Sequence, residues 1–294
     1  MKTSCSTLRA LAGVCILVTA FGAMAQDRRP VDAQEPARRA AEGKARLAAA
    51  GEAGRIVQRA IDQQGGLEAW FAGRALRFAY EYKPVAGRPP IASLQTIDLL
   101  AARAYHEVTA PNKGTLAWNG QRAWSKFEGE PFAGSPRFWA LTPYYFVAMP
   151  FVLADPGVKL AVADDDPAAA GLPAADVVRV TFDAGTGDAP DDYYICYFDR
   201  GDGHLLALRY VVSYRAFARK MGVPHTPEKL LVYADAIKVG PITLPTTHTF
   251  YAFGDGKRGE KVTDAKVSAL AYGVPFDETR LDMPASAVVD TSLD

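Results

Sequence analysis

RFWALTPYYFVAMPFVLADPG, running from Arg137 to Gly157, carries Phe138, Trp139, Tyr144, Tyr145, Phe146 and Phe151 with only two charges, Arg137 and Asp155. Its uncharged part, Phe138 to Ala154, is shorter than the about 20 mostly apolar residues that a bilayer span needs. Pro143 and Pro150 interrupt it, and a proline inside a helix removes a hydrogen bond and costs roughly 3 kcal/mol. The stretch therefore reads as a buried or half-buried helical plug with a kink. Aromatic stripes at such spacing are usually core, so one reading is a core helix. The other is the lid or lining of an apolar ligand cavity.

The chain on either side of the plug has a different period. From Ala75 onward, Leu76, Phe78, Tyr80 and Tyr82 alternate with Arg77, Ala79 and Glu81, the signature of a strand with one wet face. Strands are expected at Ala92–Leu99, Ala104–Thr109, Gly114–Trp118 and Arg122–Phe127, the last two joined by the hairpin signal Asn119-Gly120. After the plug come Val158–Val162, Asp176–Phe182, Tyr193–Phe198, Leu205–Tyr214, Leu230–Val239, Ile242–Phe253 and Lys261–Leu270. Turn sequences such as Asp199-Arg200-Gly201-Asp202-Gly203 and Gly240-Pro241 separate them. About a dozen strands with few helices between them predict an α+β fold: a curved, incompletely closed antiparallel sheet, or half-barrel. Helices would cover its concave face. One is the plug, and the other is Glu52–Phe71, where Ile56, Val57, Ala60 and Ile61 share a face before Gly65-Gly66. The domain is expected to span residues 52–284, with 26–51 a linker or frayed helix and 285–294 a loose tail.

The N-terminus reads as a secretory signal over residues 1–25. Lys2 and Arg9 precede the apolar run Leu11–Phe21, and Ala23-Met24-Ala25 places small residues where a signal peptidase cuts, before Gln26. Export to the periplasm is the expectation. The formal charge is zero for the whole chain and −2 once Lys2 and Arg9 are removed, so no net positive charge favours nucleic acid. Cys5 and Cys15 would leave with the signal, and Cys196 remains as a buried small hydrophobe.

The common catalytic motifs are missing: no HExxH, GxSxG, CxxC, phosphate loop or GxGxxG. The four histidines are scattered, and a lone histidine rarely marks a site. The acidic stretch Asp183–Asp192, DAGTGDAPDD, reads either as a hairpin connection or as a set of oxygen ligands for calcium. No cofactor or resident metal is expected.

Several motifs together carry a resemblance: QQGGLEAW (Gln63–Trp70), FAYEY (Phe78–Tyr82), WNGQRAW (Trp118–Trp124), the plug, VVRVTFDAGTGDAPDDYYICYFD (Val177–Asp199) and LPT (Leu244–Thr246). In these the chain resembles a group of exported bacterial proteins similar to the outer-membrane lipoprotein-sorting proteins, the Lol-type carrier and receptor. The resemblance implies an incomplete barrel closed by helices around an apolar cavity, which in Lol-type proteins takes lipoprotein acyl chains. No Lol-type functional residue maps onto a position of this chain.

The leading expectation is a non-catalytic exported protein that binds or carries a lipid, an acyl chain or another apolar molecule. A peripheral contact with an envelope membrane would be compatible with it. The residues expected to line the cavity are Phe78, Tyr80, Tyr82, Trp118, Trp124, Trp139, Tyr144, Tyr145, Phe146 and Phe151, because each aromatic ring buries about 150–250 Å². Two other classes stand beside it. One is a hydrolase or isomerase of small apolar molecules using His106, His248 and Asp192. The other is an envelope structural module with a packed core and no ligand.

Overall fold

Hydrophobic alternation turns directly into strands on both sides of the aromatic segment. The computed structural model describes residues 32–84, 87–132 and 134–294. The expected signal segment lies outside the described residues. In chain order the helices are α1 (Glu35–Ala49), α2 (Gly51–Gln63), α3 (Gly66–Ala72), α4 (Pro136–Val147) and α5 (Arg215–Met221). The strands before α4 are β1 (Ala75–Pro84), β2 (Ile91–Asp98), β3 (Arg103–Ala110), β4 (Gly114–Trp118) and β5 (Ala123–Phe127). Those after it are β6 (Val158–Val162), β7 (Ala175–Phe182), β8 (Tyr194–Asp199), β9 (Leu205–Tyr210), β10 (Lys229–Val239), β11 (Ile242–Gly254), β12 (Lys257–Tyr272) and β13 (Val288–Val289).

Among the described residues these form one 13-stranded sheet in the order β13-β5-β4-β3-β2-β1-β12-β11-β10-β9-β8-β7-β6. Every recorded pairing is antiparallel, and the end strands β13 and β6 do not meet. The fold is thus α+β, with an open curved sheet in which β1 pairs with both β2 and the late strand β12. That long-range closure puts the two runs of strands, before and after α4, into a single surface.

The register decides which side chains face inward. Phe78 on β1 stands opposite Gln95 on β2, which stands opposite His106 on β3. Across the other half, Tyr194 on β8 stands opposite Tyr210 on β9, and Cys196 opposite Leu208. This concave face is covered by α1 to α4. Ile56, Val57, Ala60 and Ile61 of α2 are all at most 5% exposed. Gly65 ends α2 at φ +115°, and a Cβ there would meet the Pro241 carbonyl at 2.5 Å, so the α2–α3 turn requires glycine. Ser135 caps α4 by accepting the Phe138 N–H at 3.0 Å, and Pro136 occupies its first turn. α4 runs on through Pro143; after Pro150 the chain makes a separate 3-10 turn at Phe151–Ala154.

Two segments differ from the sequence expectation. Residues 35–49, read as linker or frayed helix, form α1. Ala40, Gly43 and Leu47 are buried on it, and a Cβ on Gly43 would meet Leu67 at 2.9 Å and Ala154 at 3.3 Å. Small residues let α1 approach α3 and the 3-10 turn closely, and composition alone reads those same residues as featureless. The tail, read as loose, supplies β13, which pairs with β5, and Asp290 and Ser292, which bond Ser135. The convex face is not wholly wet either. A 3-10 turn at Pro167–Ala170 and another at Glu278–Leu281 cover small apolar clusters there.

Candidate functional site: an aromatic cleft under α4

The ten aromatic residues expected to line a cavity separate into three environments. Phe78 and Phe151 are fully buried, and Tyr80 is 2% exposed. Phe151 stacks on Trp70 with ring centroids 4.3 Å apart and planes 4° from parallel, and Tyr144 lies against the same indole at 6.4 Å. Trp139 meets Tyr80 and Tyr82 edge-on at 6.5 and 5.8 Å. These side chains fill a solid core rather than a space.

Trp124 is on the other face altogether. Its indole N–H donates to the Leu281 carbonyl at 3.1 Å, beneath the 3-10 turn at Glu278–Leu281. The cause is strand parity. Trp118 and Ala123 flank a connection of four residues, Asn119–Arg122, and pair with each other, so Trp124, one residue further on, points the opposite way. Trp118 itself lies under the Arg137 guanidinium, 3.4 Å from the ring centroid.

Tyr145 and Phe146 do line a cleft. It has a volume of about 160 Å³ and lies between α4 and strands β7 to β9. From α4, Arg137, Phe138, Leu141, Thr142, Tyr145 and Phe146 face it, an i, i+4, i+8 stripe with its neighbours. From the sheet come Phe182, Tyr194 and Tyr210, and from the loop 183–192 come Asp188 and Asp192. The rings form a connected wall: Phe146–Tyr210 at 5.4 Å, Phe182–Tyr194 at 5.5 Å and Tyr194–Tyr210 at 6.4 Å. The cleft reaches the surface at the loop, where Gly187 is exposed.

The polar groups are gathered at one end. Arg137 pairs with Asp188 at 2.8 Å while its backbone N–H donates to Asp290 at 2.7 Å. Ser135 donates to Asp290 at 2.6 Å and contacts the Tyr214 hydroxyl at 2.9 Å. Asp192 accepts the Ser213 N–H at 2.5 Å, and burial pushes its carboxyl up to about 6. Asp188 is raised for the same reason, partly offset by Arg137. The Tyr145, Tyr194 and Tyr210 hydroxyls are all raised by burial and have no hydrogen-bond partner among the described residues. Hence the acidic loop is a β7–β8 connection whose aspartates go to separate partners: Asp183 to Lys159, Asp188 to Arg137 and Asp192 to Ser213.

The candidates for catalysis do not converge. His106 on β3 and His248 on β11 are four strand positions apart, about 19 Å along the sheet. The Ala140 carbonyl lies 3.0 Å from His106 Nε2, which makes that nitrogen the donor. His248 sits between the rings of Tyr80 and Tyr233. Burial depresses both to about 3, so both are neutral core residues. A different group could offer metal ligands: Asp199, Asp202 and His204 at the β8–β9 turn bring one atom each within 4.8 Å of one another. Asp199 there already accepts the Gly201 and Asp202 N–H groups, as the turn itself demands.

Sequence reading missed Phe138, Phe182, Tyr194 and Tyr210 as lining residues. The signal available was the alternation of Tyr194, Cys196 and Phe198, which puts Tyr194 on the inward face. Which inward rings stay uncovered depends on where α4 stops.

No protein-family model matches this chain, and no curated protein does. Among solved structures it is similar to a LolA superfamily protein from Nitrosomonas europaea. That likeness has a TM-score of 0.50 and 8% identity, over 79% of this chain and 97% of that one. A DUF1329 family protein from Desulfovibrio piger is also similar, with a TM-score of 0.46 and 11% identity over 84% and 97% of the two chains. The likeness to the Nitrosomonas europaea protein is one of fold, an open antiparallel sheet with helices laid in its hollow. No helix among the described residues is long and apolar enough to cross a membrane.

Proposed function

We propose that this is an exported, periplasmic binding protein that holds an apolar ligand in the cleft between α4 and β7–β9, without performing chemistry on it. The candidate ligands are a lipid, a lipoprotein acyl chain or another apolar molecule. The observation that carries the reading is the cleft itself, a wall of aromatic rings left uncovered between α4 and the sheet. A space of about 160 Å³ is close to the about 150 Å³ of an apolar cavity that takes up a benzene ring. It suits a ring or a short stretch of chain, with the remainder leaving past the loop 183–192. The LolA-type fold supports the reading by architecture.

Native mass spectrometry of the protein purified from its own envelope tests this, through a retained apolar mass. The variant Leu141→Trp places an indole in the cleft and should abolish both that mass and the thermal stabilisation by added alkanols. If the wild-type protein carries no ligand and no alkanol stabilises it, the binding reading falls.

A further inference from the structure

We propose that the cleft selects an amphiphile whose apolar body carries a cationic amine head, seated against Asp192. This rests on the binding reading above and adds the ligand's charge to it.

The first ground is the charge balance of the lining. Its charged side chains are Arg137, Asp188 and Asp192. Arg137 is already occupied on two sides, by Asp188 at 2.8 Å and by the Trp118 ring at 3.4 Å, and only 13% of its side chain is exposed. Among the described residues Asp192 has no ion-pair partner. It takes the Ser213 N–H on one oxygen, its chain neighbour Asp191 adds repulsion, and His225 on an exposed loop gives slight relief. The cleft therefore holds one carboxylate in excess. A carboxylate or phosphate head would meet Asp188 and Asp192 at short range with the guanidinium already spent.

The second ground is independent. Tyr145, Tyr194 and Tyr210 border the cleft with hydroxyls that bond nothing among the described residues, and Tyr210 is only 5% exposed. Tyr210 is the buried one of the three and Tyr145 and Tyr194 are half-buried, so their unpartnered hydroxyls are polar groups that a ligand in the cleft can reach. An ammonium brings three donors and no acceptor; the Asp192 carboxylate only accepts, and the tyrosine hydroxyls can accept as well as donate, so the charge preference comes from Asp192. The ring faces add cation–π attraction. Burial has raised the Asp192 carboxyl, and a cation beside it would reverse that penalty.

Three probes of equal length separate the possibilities: octylamine, octan-1-ol and octanoate, titrated calorimetrically into the full delipidated chain at pH 7.5. The expected order is octylamine tightest, by roughly tenfold over octanol, which corresponds to about 1.4 kcal/mol, with octanoate weakest. Asp192→Asn should lower octylamine affinity roughly tenfold, to the level of octanol, and an unshifted thermal transition of the variant reports a folded chain. Asp188→Asn frees Arg137 and should move the preference toward octanoate. Equal binding of all three probes, or a preference for octanoate in the wild type, overturns the amine proposal and leaves the apolar-ligand reading standing. An amine preference that survives Asp192→Asn overturns the assignment to Asp192. Binding of none of the probes overturns both readings.

Discussion

Phe151 and Tyr145 are six residues apart on one aromatic segment, and they meet opposite surroundings. Phe151 is wholly buried and stacked flat on Trp70, under α1 and α3. Tyr145 is half-buried, and its hydroxyl opens on the cleft. Composition does not separate them, since both are aromatics in an uncharged run. What separates them is the cover. The 3-10 turn carrying Phe151 is roofed by two helices, whereas the outer face of α4 looks across to β8 and β9 with nothing between. A continuous hydrophobic segment can thus serve as core at one end and as binding wall at the other.

The contrast is broken or sharpened by four measurements. The largest effect is expected from Phe151→Ala, about 3–5 kcal/mol of unfolding free energy in a urea titration, because the closed site cannot collapse around the lost ring. Should Tyr145→Ala cost as much, the distinction between a solid and an open end would fail.

Next comes Asp155, directly after the 3-10 turn. Burial raises its carboxyl to about 7, with Arg46 and Arg39 pulling the other way. The folded protein then holds this proton more tightly than the unfolded chain between pH about 4 and 7, so its contribution to stability is lost as pH rises through that window. Asp155→Asn, neutral throughout, should gain about 1–3 kcal/mol at pH 8, and the gain should vanish by pH 4. A gain independent of pH would show that the carboxyl is not held protonated.

The third effect is smaller. Tyr233 donates to the Phe146 carbonyl at 3.1 Å and so ties α4 to the sheet. Tyr233→Phe should cost about 1 kcal/mol, read as a shift in the urea midpoint. The smallest belongs to Tyr145→Phe, below about 0.5 kcal/mol, since its hydroxyl has no partner among the described residues to lose. A cost above that of Tyr233→Phe would mean that the Tyr145 hydroxyl is bonded after all, and the open end would lose its main mark.

Particular residues show where reading from sequence works. Leu76, Phe78 and Tyr80 announce their strand and its inward face, because a two-residue period survives any arrangement of the strands. Gly65-Gly66 announces a break, because the turn there needs a positive φ. Trp124 is misread because its face depends on the length of the Asn119–Arg122 turn, one residue of which inverts every side chain after it. Asp192 is visible as an acid in a turn, but its excess of charge depends on Asp188 having taken Arg137, a pairing across 51 positions that no local pattern records.

By itself the sequence determined the strand-forming runs, the interruption between the fifth and sixth of them, the helix that ends at Gly65-Gly66 and the absence of common catalytic motifs. These follow from local causes: side-chain period and the backbone limits of proline and glycine. The tertiary structure alone decided that β1 pairs with β12, that α1 and β13 belong to the domain, and that the aromatic segment is closed at Phe151 and open at Tyr145. Those outcomes depend on which distant surfaces cover one another. Burial is a property of the pair of surfaces in contact, and one strand or helix carries only half of that information.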